Sequence, residues 1–290
     1  MPPKKSKKDG QSFRLMMTWV PRAGLGELDN ALVWREKVND EATTPIEVCV
    51  WTTSDESVNI PERYRRAFCW HHLALPATVD RYIRGPIPRG LWSPWGNKSG
   101  PNYQFFLQLD QTAELHPEQW ILQIEGDTFS VNDSPRASIQ KLLDAHSDAW
   151  VIGAVNHPAV LLSLPGKYQD HVNGAALYNV GSQDFREFRK GVWVPALIEC
   201  VARDPELAYD VISSTGLFDE MSPRLRGAWQ QNSHRFVRTP GIVNASSLSF
   251  EDPANPSDTD LIVDDSLDFS VKDVWLFHAK QLQRTKGRAS

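Results

Sequence analysis

The sequence predicts a doubly wound α/β domain with a mostly parallel central sheet, and three observations carry that expectation. Short runs rich in β-branched and aromatic residues, such as "IEVCVWTTS" (46–54) and "DAWVIGAV" (148–155), read as strands. They alternate with helical patterns such as "GELDNALVWREKV" (26–38) and "SPRASIQKLLDAH" (134–146), the alternation that lays strand–helix–strand units into one sheet. The stretch "QWILQIEGDTFSVN" (119–132) then begins as a buried strand and delivers Glu125 and Asp127, separated by Gly126, to its own end. Sheets of this class bind ligands at the carboxyl ends of their strands.

Taken in order, "SFRLMMTWVP" (12–21) is expected to be the first strand and 26–38 an amphipathic helix, followed by the strand 46–54. "PERYRRAFCWHHLA" (61–74) places proline at a first helical position and reads as helix throughout. That reading puts His71 and His72 on a polar helix face, where no matching carboxylate spacing gives them more than a structural role. A Gly-, Pro- and Trp-rich loop (84–102) leads into a helix from "NYQFFLQLDQTAEL". The strand carrying Glu125 comes next, then the helix 134–146 and the strand 148–155. From residue 182 the pattern turns mostly helical, interrupted at Pro195. "SFEDPANPSDTD" (249–260) reads as an acidic loop, and "VKDVWLFHAK" (271–280) as a last strand ending in His278 and Lys280. The expected organisation is one domain over residues 12–282, between a disordered basic tail (1–11) and a flexible tail (283–290).

Composition narrows the function. A net charge of −5 without a long basic stripe argues against nucleic acid as a partner. The opening "MPPKKSKKDG" has no apolar run after it and so does not read as a secretory signal. The longest weakly polar run, "WVIGAVNHPAVLLSLPG", is too short to span a bilayer. Three widely spaced cysteines without a CxxC fit a reducing compartment, the cytoplasm, and neither a disulfide frame nor a zinc site. Eleven tryptophans without a repeat read first as core packing.

The acidic strand end carries the chemistry. Residues i and i+2 of a strand point to one face, so Glu125 and Asp127 can converge on one cation, while Gly126 permits a ligand to approach the backbone closely. Hard oxygen donors suit Mg2+ or Mn2+, and a cation so placed neutralises the diphosphate that leaves when a nucleotide sugar is cleaved. Three further stretches bear on the site: "DHVNGAALYNVGS" (170–182), with His171, Asn173 and Gly174; "WSPWGNKSGPNYQFF" (92–106), with Lys98 before a helix; and "LFHAK", with His278 and Lys280.

The order "GxKSGPNYQFF … ExDT … WVIG … HVNGAALYN … YD", with a late strand ending in histidine, resembles the GT-A glycosyltransferases. More narrowly it is similar to a group of sugar transferases of microbes and large viruses, in detail over about residues 90 to 215 and in outline over the whole chain. The resemblance implies a GT-A-like αβα sandwich that transfers a hexosyl or pentosyl group from a UDP- or GDP-sugar to a hydroxyl of a glycan or glycoconjugate, with Mn2+ or Mg2+. Carried over by position, Asp127 and His278 hold the metal and Glu125 touches metal or ribose; Glu125 stands where Asp is more usual in the family. Lys98 and Lys280 become phosphate partners, and His171, Asn173 and Gly174 donor contacts.

Each assignment has a plainer counterpart. His171 can satisfy a core backbone group, Asn173–Gly174 can be an ordinary tight turn, Lys98 a solvated lysine and His278 a surface histidine. Asp210, in "ELAYDVIS", stabilises a helix start or serves as the general base of an inverting transfer. A nucleotidyltransferase or metal phosphohydrolase, or a catalytically silent glycan-binding module, stands as the alternative to a glycosyltransferase.

Overall fold

The computed structural model describes residues 12–19, 24–40, 44–52, 60–72, 108–116, 120–161, 175–193, 195–196, 199, 221–257, 260–261 and 274–281. Its first half runs β1 (Phe13–Thr18), α1 (Gly26–Asn39), β2 (Val48–Thr52), α2 (Glu62–Ala67), β3 (Cys69–His72), α3 (108–115), β4 (Trp120–Gln123), β5 (Thr128–Ser130) and α4 (Pro135–Ala145). The second half runs β6 (Val151–Asn156), the short α5 (Pro158–Leu161), β7 (Ala176–Asn179), α6 (Gln183–Phe188) with a wider turn at Arg189–Trp193, α7 (Pro223–Asn232), β8 (Phe236–Phe250) and β9 (Leu276–Gln281).

These strands form one nine-stranded sheet in the order β3-β2-β1-β4-β7-β6-β8-β9-β5. Neighbours are parallel except where β7 lies antiparallel between β4 and β6, and where β5 lies antiparallel on β9. Alternating residues feed two faces. Leu15, Met17, Val50, Leu122, Ile152 and Leu276 point to the layer made by Leu28, Ala31, Trp34 and Val38 of α1 with Ile139 and Leu143 of α4. Met16, Cys49, Trp51, Ile121, Val151 and Tyr178 point the other way, to Leu109, Phe185, Phe188, Trp193, Leu225 and Trp229. The expected αβα sandwich with a mostly parallel sheet is therefore the architecture found. Trp19, Trp34, Trp193 and Trp275 are fully buried, as core packing requires.

One connection gives the sheet its shape. β4 sits in the middle of the strand order and β5 at its edge, five strand spacings away, roughly 24 Å in a flat sheet. Only four residue steps separate Ile124 from Thr128, and an extended chain of that length spans at most about 14 Å. The sheet must therefore curl, bringing β9 and β5 back toward the end of β4. It curls around α1, whose Asn30, Trp34 and Lys37 hydrogen-bond to carbonyls of residues 126–132.

Two expectations need correction. Residues 61–74 do not form one helix: α2 ends at Ala67, Phe68 is extended, and Cys69–His72 pair in parallel with β2. Packing wins over local propensity here, because Trp70 caps Tyr64 O through its indole N–H (3.1 Å) and His71 stacks on Trp51 with ring centroids 4.7 Å apart. His71 and His72 thus lie on an edge strand, far along the sheet order from β9. The run 119–132 likewise splits into β4, a turn and β5.

Candidate active site

β4 ends when Ile124 N–H donates to Met16 O (2.9 Å), the last sheet bond before the chain turns. The turn at Glu125–Thr128 closes on itself. Thr128 N–H donates to Glu125 O (3.1 Å), and Glu125 N–H donates to Thr128 Oγ1 (3.0 Å). Glu125 and Asp127 therefore converge through a turn, and not through strand alternation as the sequence reading supposed.

Into this turn β9 brings His278. Thr128 pairs with His278 across β5 and β9, and Ala279 N–H donates to Asp127 O (3.1 Å). His278 Nε2 then lies 3.1 Å from Asp127 Oδ1 and 3.4 Å from Glu125 Oε2. One donor atom from each of Glu125, Asp127 and His278 lies within 4.8 Å of the others. The histidine is buried, whereas about a third of each carboxylate side chain is open, so the cluster has a closed floor and a reachable mouth.

The electrostatics describe an excess of negative charge. Burial alone would strip the His278 proton, but the Glu125 charge and hydrogen bonds to Asp127 and Glu125 prevail and push its pKa up to about 10. A third acid, Glu27 in the first turn of α1, is pushed up to about 7, first by burial and then by the charges of Asp127 and Glu125. Three carboxylates, Glu125, Asp127 and Glu27, thus gather around one imidazole. The donor set fits: carboxylate oxygens suit Mg2+ and Mn2+ alike, and the imidazole tilts the set toward Mn2+.

The site holds residues that the sequence reading did not reach. Glu27 lies across Gly126 so closely that a Cβ there would meet Glu27 Cγ at 2.1 Å. A glycine at 126 leaves room for the Glu27 side chain. The signal existed in the sequence, since a helix following a parallel strand opens at the carboxyl edge of the sheet, where Glu125 was already placed. A polar row also crosses the sheet in register, Asn156 on β6, Asn244 on β8, His278 on β9 and Thr128 on β5, with Asn244 Nδ2 donating to Asn156 Oδ1 (2.8 Å). All four are buried, so the row forms a polar floor leading to His278.

Among the other expected site residues, Lys280 lies on β9 with its backbone opposite Ser249, and its side chain is outside the described residues. Lys98, His171, Asn173, Gly174 and Asp210 lie outside the described residues altogether. Among the described residues no helix is long and apolar enough to cross a membrane.

No protein-family model matches the sequence, and no curated protein matches it. Solved structures do. One is a glycosyltransferase involved in the glycosylation of the major capsid of PBCV-1, with 14% identity, 92% of each chain covered and a TM-score of 0.44. A second is the galactosyltransferase LgtC in complex with donor and acceptor sugar analogs, with 12% identity over 92% of this chain and 86% of that one, TM-score 0.48. A third is the glucosyl-3-phosphoglycerate synthase of Mycobacterium tuberculosis in complex with Mn2+ and UDP, with 8% identity over 81% of this chain and 70% of that one, TM-score 0.40.

Proposed function

We propose that this protein is a metal-dependent glycosyltransferase of the GT-A type, moving a hexosyl or pentosyl group from a UDP- or GDP-sugar to a hydroxyl of a glycan or glycoconjugate. The observation that carries the reading is the meeting of Glu125, Asp127 and His278 at the carboxyl end of a central parallel strand. The sequence motifs around "ExDT" and "HVNGAALYN" supply its second support.

In this reading Asp127 and His278 hold Mn2+ or Mg2+, and Glu125 shares the ion or takes the ribose hydroxyls. The bound cation supplies positive charge for the diphosphate as the bond to the sugar breaks. Lys98 and Lys280 add charge at the phosphates, and His171, Asn173 and Gly174 face the donor sugar. Asp210 takes the proton from the acceptor hydroxyl as it attacks the anomeric carbon. The proposed compartment is the cytoplasm, on the ground of three widely spaced cysteines without a CxxC.

Melting the protein with UDP or GDP, with and without Mn2+, tests binding, because a ligand of the native state alone must raise the melting temperature. Nucleotide stabilisation that needs Mn2+ supports the reading, and no stabilisation by either nucleotide opposes it. A panel of nucleotide sugars, scored for donor hydrolysis, then separates a sugar transferase from a nucleotidyltransferase, a phosphohydrolase or a silent glycan-binding module.

A further inference from the structure

We propose that Asn30 of α1 is a positioning residue for Asp127, fixing through the main chain the carboxylate that the cation requires; this rests on the metal reading above. One face of α1 presents Glu27, Asn30, Trp34 and Lys37, spaced by three, four and three residues, to the free edge of β5. Trp34 Nε1 donates to Thr128 O (2.8 Å), and Lys37 Nζ donates to Ser130 O (2.9 Å) and Asn132 O (3.3 Å). Those bonds cover a sheet edge that would otherwise expose its carbonyls, which is an ordinary structural task.

Asn30 does something different. Its Nδ2 donates to Gly126 O (3.1 Å) and Thr128 O (2.6 Å), the carbonyls on either side of Asp127. The Gly126 carbonyl belongs to the peptide plane that enters Asp127, and the plane that leaves it is held by Ala279 N–H on Asp127 O (3.1 Å). Both planes around the Asp127 Cα are therefore pinned, one from the helix and one from β9. With the backbone fixed on both sides, the carboxylate is delivered to His278 at 3.1 Å. Releasing the Asn30 side frees the first plane to rotate and lets Asp127 drift from the histidine. Groups that orient metal ligands from behind typically change metal affinity about 10- to 100-fold when removed.

The test compares Mn2+ affinity, by calorimetry and by the Mn2+ spin-resonance signal, with thermal stability in the full chain. Asn30→Leu keeps the side-chain shape and the helix while deleting the donor, and Asn30→Ala is carried beside it in case the branched methyls intrude. Lys37→Met removes bonds from the same helix to the same edge, away from Asp127. The expected result is a loss of Mn2+ affinity of about tenfold or more in both Asn30 variants, and a change within about twofold in Lys37→Met despite a lowered melting temperature. Wild-type Mn2+ affinity in the Asn30 variants overturns the proposal, as does an equal loss in Lys37→Met, which would make the contact mere edge docking. A wild-type protein that binds no Mn2+ overturns the metal reading itself, and the positioning role with it.

Discussion

Replacing Gly126 with alanine places one methyl group where the Glu27 side chain already lies. The new Cβ would sit 2.1 Å from Glu27 Cγ, 2.3 Å from Cδ and 2.7 Å from Oε1, far inside contact distance. The glycine has no left-handed backbone to lose, since among the described glycines that region holds Gly24 alone, so the cost is steric. Overpacking of this kind costs about 1–3 kcal/mol. Glu27 can relieve part of it by swinging toward solvent, where its carboxyl also escapes burial and the charges of Asp127 and Glu125. We therefore expect about 1 kcal/mol of destabilisation, a fall of about 2–4 °C in melting temperature for a domain of this size. In a Glu27→Ala background the three atoms nearest the new methyl are gone, and the same substitution should cost clearly less, by about 0.5 kcal/mol or more. A double-mutant cycle by urea denaturation and thermal melting reads the difference. Equal costs for Gly126→Ala in the two backgrounds would refute the packing of Glu27 on Gly126.

Glu27 also gives a pH signature. Its pKa is raised from an ordinary 4.5 to about 7, so the folded state holds a proton that the unfolded chain gives up, and the penalty develops as pH rises from about 4.5 through about 7. Glu27→Gln should raise the melting temperature of the metal-free protein at pH 8 and leave it unchanged at pH 4.5; no gain at pH 8 would contradict the burial of this acid. His278 holds its proton up to about pH 10, and a cation must displace that proton to reach Nε2. Mn2+ affinity should accordingly climb by about tenfold per pH unit between pH 6 and 8, a slope that calorimetry should find flattened in His278→Gln. Trp34→Phe removes one of the two donors to Thr128 O, the Asn30 amide remaining, and should destabilise by about 0.5–1.5 kcal/mol in urea denaturation.

The strands β1, β2, β4, β6 and β9 and the helices α1 and α4 were legible because each carries its own hydrophobic period, as in "VCVWT" for β2. Four strands were not: β5 and β7 span only three and four residues, too short to show a period, and β3 and β8 are disguised. β3 is the tail of a helical pattern, turned into a strand by parallel pairing with β2. β8 contains "TPGIVNASS", where Pro240 and Gly241 hide a strand; the register with β6 shifts between Thr239 and Val243, so the proline sits in a bulge. For the site, Glu125, Asp127 and His278 were readable as residue types at strand ends. Their meeting depends on the curl of the sheet, which follows from strand order and the short β4–β5 connection, and strand order is written in no local pattern. Glu27 and Asn30 escaped for a related reason: on a helix surface they look like any solvated polar residues until the β5 edge is laid against them.

The central claim is that Glu125, Asp127 and His278 bind a divalent cation that in turn binds a nucleotide diphosphate. Titration calorimetry of UDP and GDP, with and without Mn2+, into the wild-type protein and Asp127→Ala tests it most directly. Asp127 lies in an open mouth, with about a third of its side chain exposed, so its loss leaves no core cavity and the variant should fold. The expected result is Mn2+-dependent nucleotide binding by the wild type that Asp127→Ala loses while keeping its melting temperature within a few degrees, on the order of 1 kcal/mol. Metal-dependent nucleotide binding by Asp127→Ala at wild-type strength would contradict the account.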